Sequence, residues 1–235
     1  MSLARGTWSV CILLLSLPAA TLHGQEAVMF DVGIDHIILA VPNLTRGMDA
    51  FTRLTGVVPK RGGQHPGRGT ENALVSLGWD DYLELLAPVT AASDSSSPAG
   101  PDSTMLQLAG WAIHTRALDH LIARLRAAGY SVSDPTPGSR RTPDGLLLQW
   151  RTAALSDSRL ANAPFFIEWG PGTPHPSGTS PSGCRLVGVE FVQPDSTHLS
   201  AFFQAVGYRP TLRTGRGPGM RVVLDCPRGR VSFSP

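Results

Sequence analysis

Two ionisable side chains interrupt otherwise apolar stretches of this chain. Gly33-Ile34-Asp35-His36-Ile37-Ile38-Leu39-Ala40-Val41-Pro42 reads as a buried strand with one histidine, His36, in its interior. Further on, Tyr82-Leu83-Glu84-Leu85-Leu86-Ala87-Pro88 reads as a second buried strand carrying one glutamate, Glu84. An ionisable group in an apolar strand is costly unless it finds a partner. A metal ion held between His36 and Glu84 would satisfy both. The plainer alternatives are a core histidine bonded to backbone and a strand carboxylate paired with an arginine. A third stretch, Phe165-Phe166-Ile167-Glu168-Trp169, places Glu168 in mid-strand in the same way. A glutamate so placed can also act as a general base, because desolvation raises its pKa. Glu84 and Glu168 are therefore the candidate catalytic groups.

Polar residues that could meet a substrate cluster in two further places. The Gly-rich loop over 62–69 runs into Thr70-Glu71-Asn72, and with His65 it can form a lid that points His65, Thr70 and Asn72 inward. It can equally be a tight turn, with Gly67 and Gly69 supplying unusual backbone angles. Loops on a rigid scaffold often carry the site, which favours the lid. Tyr82, at the start of the Glu84 strand, is a candidate substrate contact. Arg140 and Arg141, in a loop over 135–142, can clamp a carboxylate or face solvent. Trp111, Trp150 and Trp169 read as core or as lining, and His175-Pro176 as a loop turn.

These residues need elements to hold them, and the chain supplies a repeated set. Residues 45–56 read as a helix capped by Thr45, with Met48, Phe51, Thr52 and Leu54 on one face and Gly56 at its end. Strands follow at 57–60, 73–77 and 82–87, giving β-α-β-β-β. The order then recurs: strand 108–114, helix 118–128 with Leu121, Ile122, Leu125 and Ala128 inward and Gly129 as cap, then strands 130–133, 145–151 and 165–169. The helices end alike, Arg53-Leu54-Thr55-Gly56 and Arg126-Ala127-Ala128-Gly129. Correspondence of both helix and last strand marks an internal repeat. A third, shorter copy fits strand 186–192, helix 196–206 ended by Gly207, and strands 208–212, 220–224 and 231–233. The division is thus 27–90, a Ser/Pro/Ala/Gly/Asp linker 91–104, 105–171, a linker 172–183, and 184–235.

Composition bounds the class. The 235 residues carry a formal charge of only +2, with 42% hydrophobic and 16% charged residues, which suits a globular protein with ample core. The arginines are spread through loops and form no basic stripe, so no nucleic-acid footprint is visible. Residues 1–26 show a secretory signal pattern: one charge at Arg5, an apolar run over 10–17 too short to span a membrane, then small residues at Ala19, Ala20 and Gly24. The mature chain is expected to be exported and to keep no stable membrane span. It retains Cys184 and Cys226, which can form a disulfide in an oxidising compartment or remain two buried thiols.

Tandem β-α-β-β-β modules with a His in the first strand and a Glu in the last resemble the vicinal oxygen chelate superfamily. The stretch over 34–42, the loop Gly62-Gly63-Gln64-His65-Pro66-Gly67-Arg68-Gly69-Thr70-Glu71-Asn72, the strand Tyr82-Leu83-Glu84-Leu85, and the later Pro143-Asp144-Gly145 and Phe165-Phe166-Ile167-Glu168-Trp169 look like its glyoxalase-like domain branch. The resemblance implies an α+β fold in which each module curls into a half-barrel and two modules form a cup. It also implies a divalent metal at the bottom, with His36, Glu84 and Glu168 matching three ligand positions. One His and two Glu would suit Mn²⁺, Fe²⁺, Ni²⁺ or Zn²⁺, polarising vicinal oxygens of a small substrate. One ligand is missing: aligning the helix ends sets Ala109 opposite His36, and a one-residue slip would turn His114 inward instead. Three functions follow as alternatives: an exported metal-dependent lyase, isomerase or dioxygenase; a metal-free binding and sequestering protein on the same scaffold; or an assembly module whose third copy pairs with another chain to form a homodimer.

Overall fold

The computed structural model describes residues 31–89, 106–157, 159–160 and 162–235. The signal pattern expected over 1–26 and the linker expected over 91–104 lie outside the described residues. The first module comprises β1 (Gly33–Ala40), α1 (Leu44–Thr55), β2 (Lys60–His65), β3 (Thr70–Ser76) and β4 (Tyr82–Pro88). The second comprises β5 (Gln107–His114), α2 (Leu118–Ala127), β6 (Thr136–Arg141), β7 (Leu147–Ala154) and β8 (Phe165–Trp169). After them come β9 (Arg185–Gln193), α3 (Thr197–Val206), β10 (Thr211–Thr214), β11 (Gly219–Cys226) and β12 (Gly229–Phe233).

The first two modules share one eight-stranded sheet in the order β2-β3-β4-β1-β5-β8-β7-β6. In each, the first strand lies parallel to the last, β1 to β4 and β5 to β8. That leaves one edge of each first strand free, and the two edges meet as the antiparallel β1–β5 pair. The sheet curls until its far strands approach. A Cβ on Gly63 would collide with the Arg141 carbonyl, and the φ of Gly63 is +129°. Only glycine permits both that conformation and that approach. The Arg140 guanidinium donates to the Gly62 carbonyl across the same seam.

Several elements differ from their sequence readings, each for a local reason. Helix α1 starts one residue earlier than Thr45: Asn43 accepts from the Arg46 amide and so caps it, while the Thr45 hydroxyl accepts from Arg61. Its buried face is Leu44, Gly47, Ala50, Phe51 and Thr55, and Leu54 is exposed. The expected lid over 62–69 is a hairpin instead: β2 carries Gly62, Gly63 and His65, and β3 begins at Thr70. Glycines depress strand propensity, so a glycine-rich strand read as a loop. Likewise Arg140 stands on β6 and not on a loop, paired with Leu148 of β7.

The third unit keeps the element order but not the strand order of the other two. Its sheet runs β10-β9-β11-β12, with β9 interior between a parallel β10 and an antiparallel β11. With β9 enclosed, its edge is not free to repeat the β1–β5 type of pairing. Instead α3 buries Leu199, Phe202, Phe203 and Val206. Phe203 packs 6.1 Å from Trp111 and Phe202 lies 6.5 Å from Phe166, on the side of β5 and β8 that faces away from the cup. Burying each such aromatic ring contributes about 1.5–3 kcal/mol. Cys184 and Cys226 are joined as a disulfide, tying the start of this unit to the end of β11. No helix among the described residues is long and apolar enough to cross a membrane.

Candidate functional site

Strand alternation decides which side chains meet in the cup, because successive residues point to opposite faces. His36 and Ile38 of β1, Asn72 of β3, Tyr82 and Glu84 of β4, and Arg140 of β6 line one cavity of about 370 Å³. Trp150 and Thr152 of β7, Phe165, Ile167 and Trp169 of β8, and His65 and Thr70 from the hairpin complete it. Thus His36, His65, Thr70, Asn72, Tyr82, Glu84 and Arg140 all come together.

Glu168 does not join them. On β8 the cup face belongs to Phe165, Ile167 and Trp169, so Glu168 is one residue out of phase and points outward. There it pairs with Arg151, which also holds Asp119. It accepts from the Leu118 amide at 3.3 Å. Helix α2 has no side-chain cap of its own at Ala117, so Glu168 supplies one from the neighbouring strand. Its carboxylate is structural in this geometry, which corrects the expected catalytic and ligand placement. The matching mid-strand position of Glu84 and Glu168 misled because the two segments differ in phase relative to the pleat.

The second module offers no histidine either. Ala112 stands opposite His36 in the β1–β5 register, and His114 pairs with Gly33. His114 lines a separate outer cleft of about 960 Å³ together with Arg151, Glu168 and His175. Among the described residues no three His, Cys, Asp or Glu side chains converge as a metal cage requires. The donor set expected from the resemblance, His36, Glu84 and Glu168, therefore does not fit a metal, and no step is derived through one.

The cup instead holds a hydrogen-bonded network. His36 is buried, stacked on Tyr82 at 4.7 Å and edge-on to Phe165 at 5.4 Å. Its Nδ1 lies 2.6 Å from Asp35 Oδ1. The register shifts between Ile34 and His36, so Asp35 is the extra residue of a bulge. A bulge re-aims side chains, which is how two consecutive residues reach one site. Asp35 is fully buried and also accepts from Trp169 Nε1 at 2.8 Å. Burial alone would raise its carboxyl pKa, but hydrogen bonds and charge from His175 and His36 hold it well below the usual carboxylate range. An ionised Asp35 accepts a hydrogen bond from His36 Nδ1–H, and the other ring nitrogen, Nε2, faces Glu84 in the cup.

Glu84 sits across from that nitrogen. Its Oε2 is 3.8 Å from His36 Nε2 and its Oε1 is 3.7 Å from His65 Nε2. Asn72 Nδ2 donates to Oε1 at 2.7 Å. A gap of 3.8 Å is too long for a hydrogen bond, so neither atom satisfies the other and both can contact a ligand in the cavity. His65 Nδ1 meets the Thr70 hydroxyl at 2.9 Å. Burial pushes the His65 pKa down, against the pull of Glu84, and Arg140 and Arg68 add to the lowering, so this imidazole favours its neutral form. Arg140 is buried; burial lowers its pKa while Tyr82 and Glu84 raise it. Burial and the charges of Asp35 and Glu84 push the Tyr82 phenol well above its ordinary value, so it stays a donor. The arrangement is two imidazoles, a carboxylate, a guanidinium and a phenol around one small cavity walled by aromatic rings.

Two members of this network, Asp35 and His175, were not singled out from sequence. Asp35 adjoins His36 in the same apolar strand, and only the bulge brings both to one site. His175 carries no local signal beyond a His-Pro pair in a turn.

Paired βαβββ half-barrels closing one cup define the vicinal oxygen chelate class of fold. The chain belongs to the glyoxalase-like domain family, whose model matches residues 34–207. No curated protein sequence is similar enough to match it. Among solved structures, a hypothetical protein from Staphylococcus aureus is similar over 86% of this chain and 85% of its own, with 16% identity and a TM-score of 0.57. Methylmalonyl-CoA epimerase from Mycobacterium tuberculosis matches 60% of this chain and 88% of its own, at 21% identity and a TM-score of 0.40. A methylmalonyl-CoA epimerase in complex with methylmalonyl-CoA and NH4+ matches 60% and 96%, at 20% identity and a TM-score of 0.42. The first of these likenesses speaks to the fold alone, and the other two carry no weight on function.

Proposed function

We propose that this protein is an exported glyoxalase-like enzyme that binds a small, oxygen-rich anion in the cup and moves a proton on it, in the manner of an isomerase or lyase. The observation that carries the reading is His36: Nδ1 tied to a buried carboxylate and Nε2 open to the cavity, 3.8 Å from Glu84. A base so oriented takes a proton from a carbon or hydroxyl of a ligand lying in the cavity against both His36 and Glu84. Arg140 attracts a carboxylate or a developing oxyanion, and Tyr82 donates a hydrogen bond. Asn72 orients Glu84, and the aromatic walls exclude water. The proton returns from His36 to the neighbouring atom, or is relayed by Glu84. The cycle balances with no external reductant or oxidant.

A second reading, metal-free sequestration of a small molecule, is favoured by one specific feature. The second module brings Phe165, Ile167 and Trp169 to the cup wall, and no carboxylate or imidazole among the described residues. Export is supported by the signal pattern over 1–26 and by the disulfide between Cys184 and Cys226, since such bonds persist in oxidising compartments.

The test is ligand-observed NMR with a panel of small mono- and dicarboxylates and 2-oxo and 2-hydroxy acids, with and without chelator. Saturable binding that survives chelation and is lost in the Arg140→Met variant supports the reading. Binding that needs added Mn²⁺, Fe²⁺, Ni²⁺ or Zn²⁺ would replace it with the metal-dependent one. For export, the mass of the chain recovered outside the cytoplasm should lack the residues up to a cleavage point near 20–27; recovery of uncleaved chain in the cytoplasm contradicts it.

A further inference from the structure

The segment over 172–183, which reads as a linker, carries a histidine to the buried carboxylate that holds His36. His175 Nε2 lies 3.2 Å from Asp35 Oδ2, while Asp35 Oδ1 lies 2.6 Å from His36 Nδ1. One buried carboxylate therefore joins two imidazoles. His36 faces the cup and His175 lines the outer cleft. The segment is pinned to the first module just after this contact. Ser177 Oγ meets His175 Nδ1 at 2.7 Å and donates to the Trp79 carbonyl at 2.7 Å, and the Ser76 amide donates to the Pro181 carbonyl at 2.8 Å. The His175 ring is packed edge-on against Tyr82 and Trp169, both at 5.5 Å. It is held in place as firmly as a strand residue, although it belongs to an irregular stretch.

We infer that His175 is a positioning residue for His36, acting through Asp35; this deepens the reading of His36 as the proton acceptor and rests on it. A carboxylate anchored at one oxygen can swing about its Cβ–Cγ bond. Asp35 is anchored at both: Oδ1 by His36, and Oδ2 by Trp169 Nε1 and His175. Fixing Oδ2 fixes the direction of Oδ1, and that fixes both the tautomer and the ring plane of His36. The same logic governs metal-bound or catalytic histidines whose second nitrogen is held by an outer partner. Without His175, the carboxylate keeps His36, the Trp169 indole and Tyr82 as partners but loses the imidazole that holds Oδ2 from the side of the outer cleft. Asp35 can then rotate, and His36 is no longer confined to the Nδ1–H form.

The experiment needs no substrate. Protein labelled with ¹⁵N-histidine is examined by long-range ¹H–¹⁵N NMR, with His36→Gln identifying the His36 signals. The parent should show His36 as the Nδ1–H tautomer with a downfield Nδ1–H proton. In His175→Ala that proton signal should be lost or the tautomer mixed, and in His175→Gln, whose amide can donate to Asp35, it should return. Thermal melts run alongside report folding, and His175→Phe, which keeps a ring but no donor, serves if the alanine variant does not fold. Unchanged His36 signals in a folded His175→Ala or His175→Phe variant overturn the inference. So does a loss that His175→Gln fails to reverse, because loosening of the segment alone would produce it. If the parent itself lacks the Nδ1–H tautomer, the reading of His36 as the base falls first, whatever His175 does.

Discussion

The Arg140 guanidinium donates to the carbonyl of Gly62, and so joins β6 to β2 across the one place where the curled sheet is not zipped by strand pairing. The same side chain is the buried cation of the cup. Arg140→Met keeps volume but removes both roles. Affinity for any carboxylate ligand should fall by roughly 10- to 100-fold, the worth of a hydrogen bond to a charged group at about 1.5–3 kcal/mol. Arg140→Lys should not restore it, because an ammonium cannot reach the carbonyl and the ligand together as a planar fork does. Isothermal titration calorimetry decides; equal affinity in the methionine variant contradicts the assignment.

Glu168 caps helix α2 and neutralises Arg151 on the outer face, away from the cup. Glu168→Ala should therefore cost about 1 kcal/mol of folding stability, the scale of a lost helix cap, and leave ligand affinity in the cup within twofold. Urea denaturation and the binding titration measure the two quantities. A large loss of binding with little loss of stability would return Glu168 to the site.

Asp35 is held ionised by its partners, which ties stability to pH. Its folded pKa lies below its unfolded one. The stabilisation is therefore present above the ordinary aspartate value of about 3.9 and is lost as pH falls through the lower folded value. Asp35→Asn should cost roughly 3–5 kcal/mol at neutral pH, the penalty for breaking a buried pair. The gap between parent and variant should narrow once pH drops below about 4. Chemical denaturation from pH 7 to pH 3 checks this; a gap that stays constant contradicts it.

Much of the cup could be read from residues, and the failures have separate physical causes. The apolar strands around His36 and Glu84, and the like endings of the two helices, disclosed the paired modules. What sequence could not supply was phase. Glu168 looked like Glu84 because both sit mid-strand, but one residue of offset sends it to the opposite face. Asp35 reached the cup only through a bulge, which no periodicity announces. The strand Lys60–His65 was hidden by Gly62 and Gly63, whose lack of side chains serves the seam and not the strand. His175 lies far along the chain from Asp35, and only the fold brings them together.

The disulfide between Cys184 and Cys226 closes a loop with a sequence separation of 42. Reduction, or Cys184→Ser with Cys226→Ser, should cost about 2–4 kcal/mol. The loss should fall on the third unit, leaving the cup's ligand affinity intact at moderate temperature. Melting curves with and without reductant test it; an unchanged melting temperature contradicts it.

The central claim is that His36, opposite Glu84, moves a proton on a bound small molecule. The direct measurement is solvent-deuterium exchange: compounds that bind saturably are incubated with the protein in D₂O, and their C–H signals are followed by NMR. The account predicts that at least one 2-oxo or 2-hydroxy acid loses a C–H signal to deuterium, and that the rate falls by about 10²- to 10⁴-fold in His36→Gln and in Glu84→Gln. Bound compounds that keep every C–H in the parent, at rates no different from the His36→Gln variant, would contradict it and leave a binding protein in place of an enzyme.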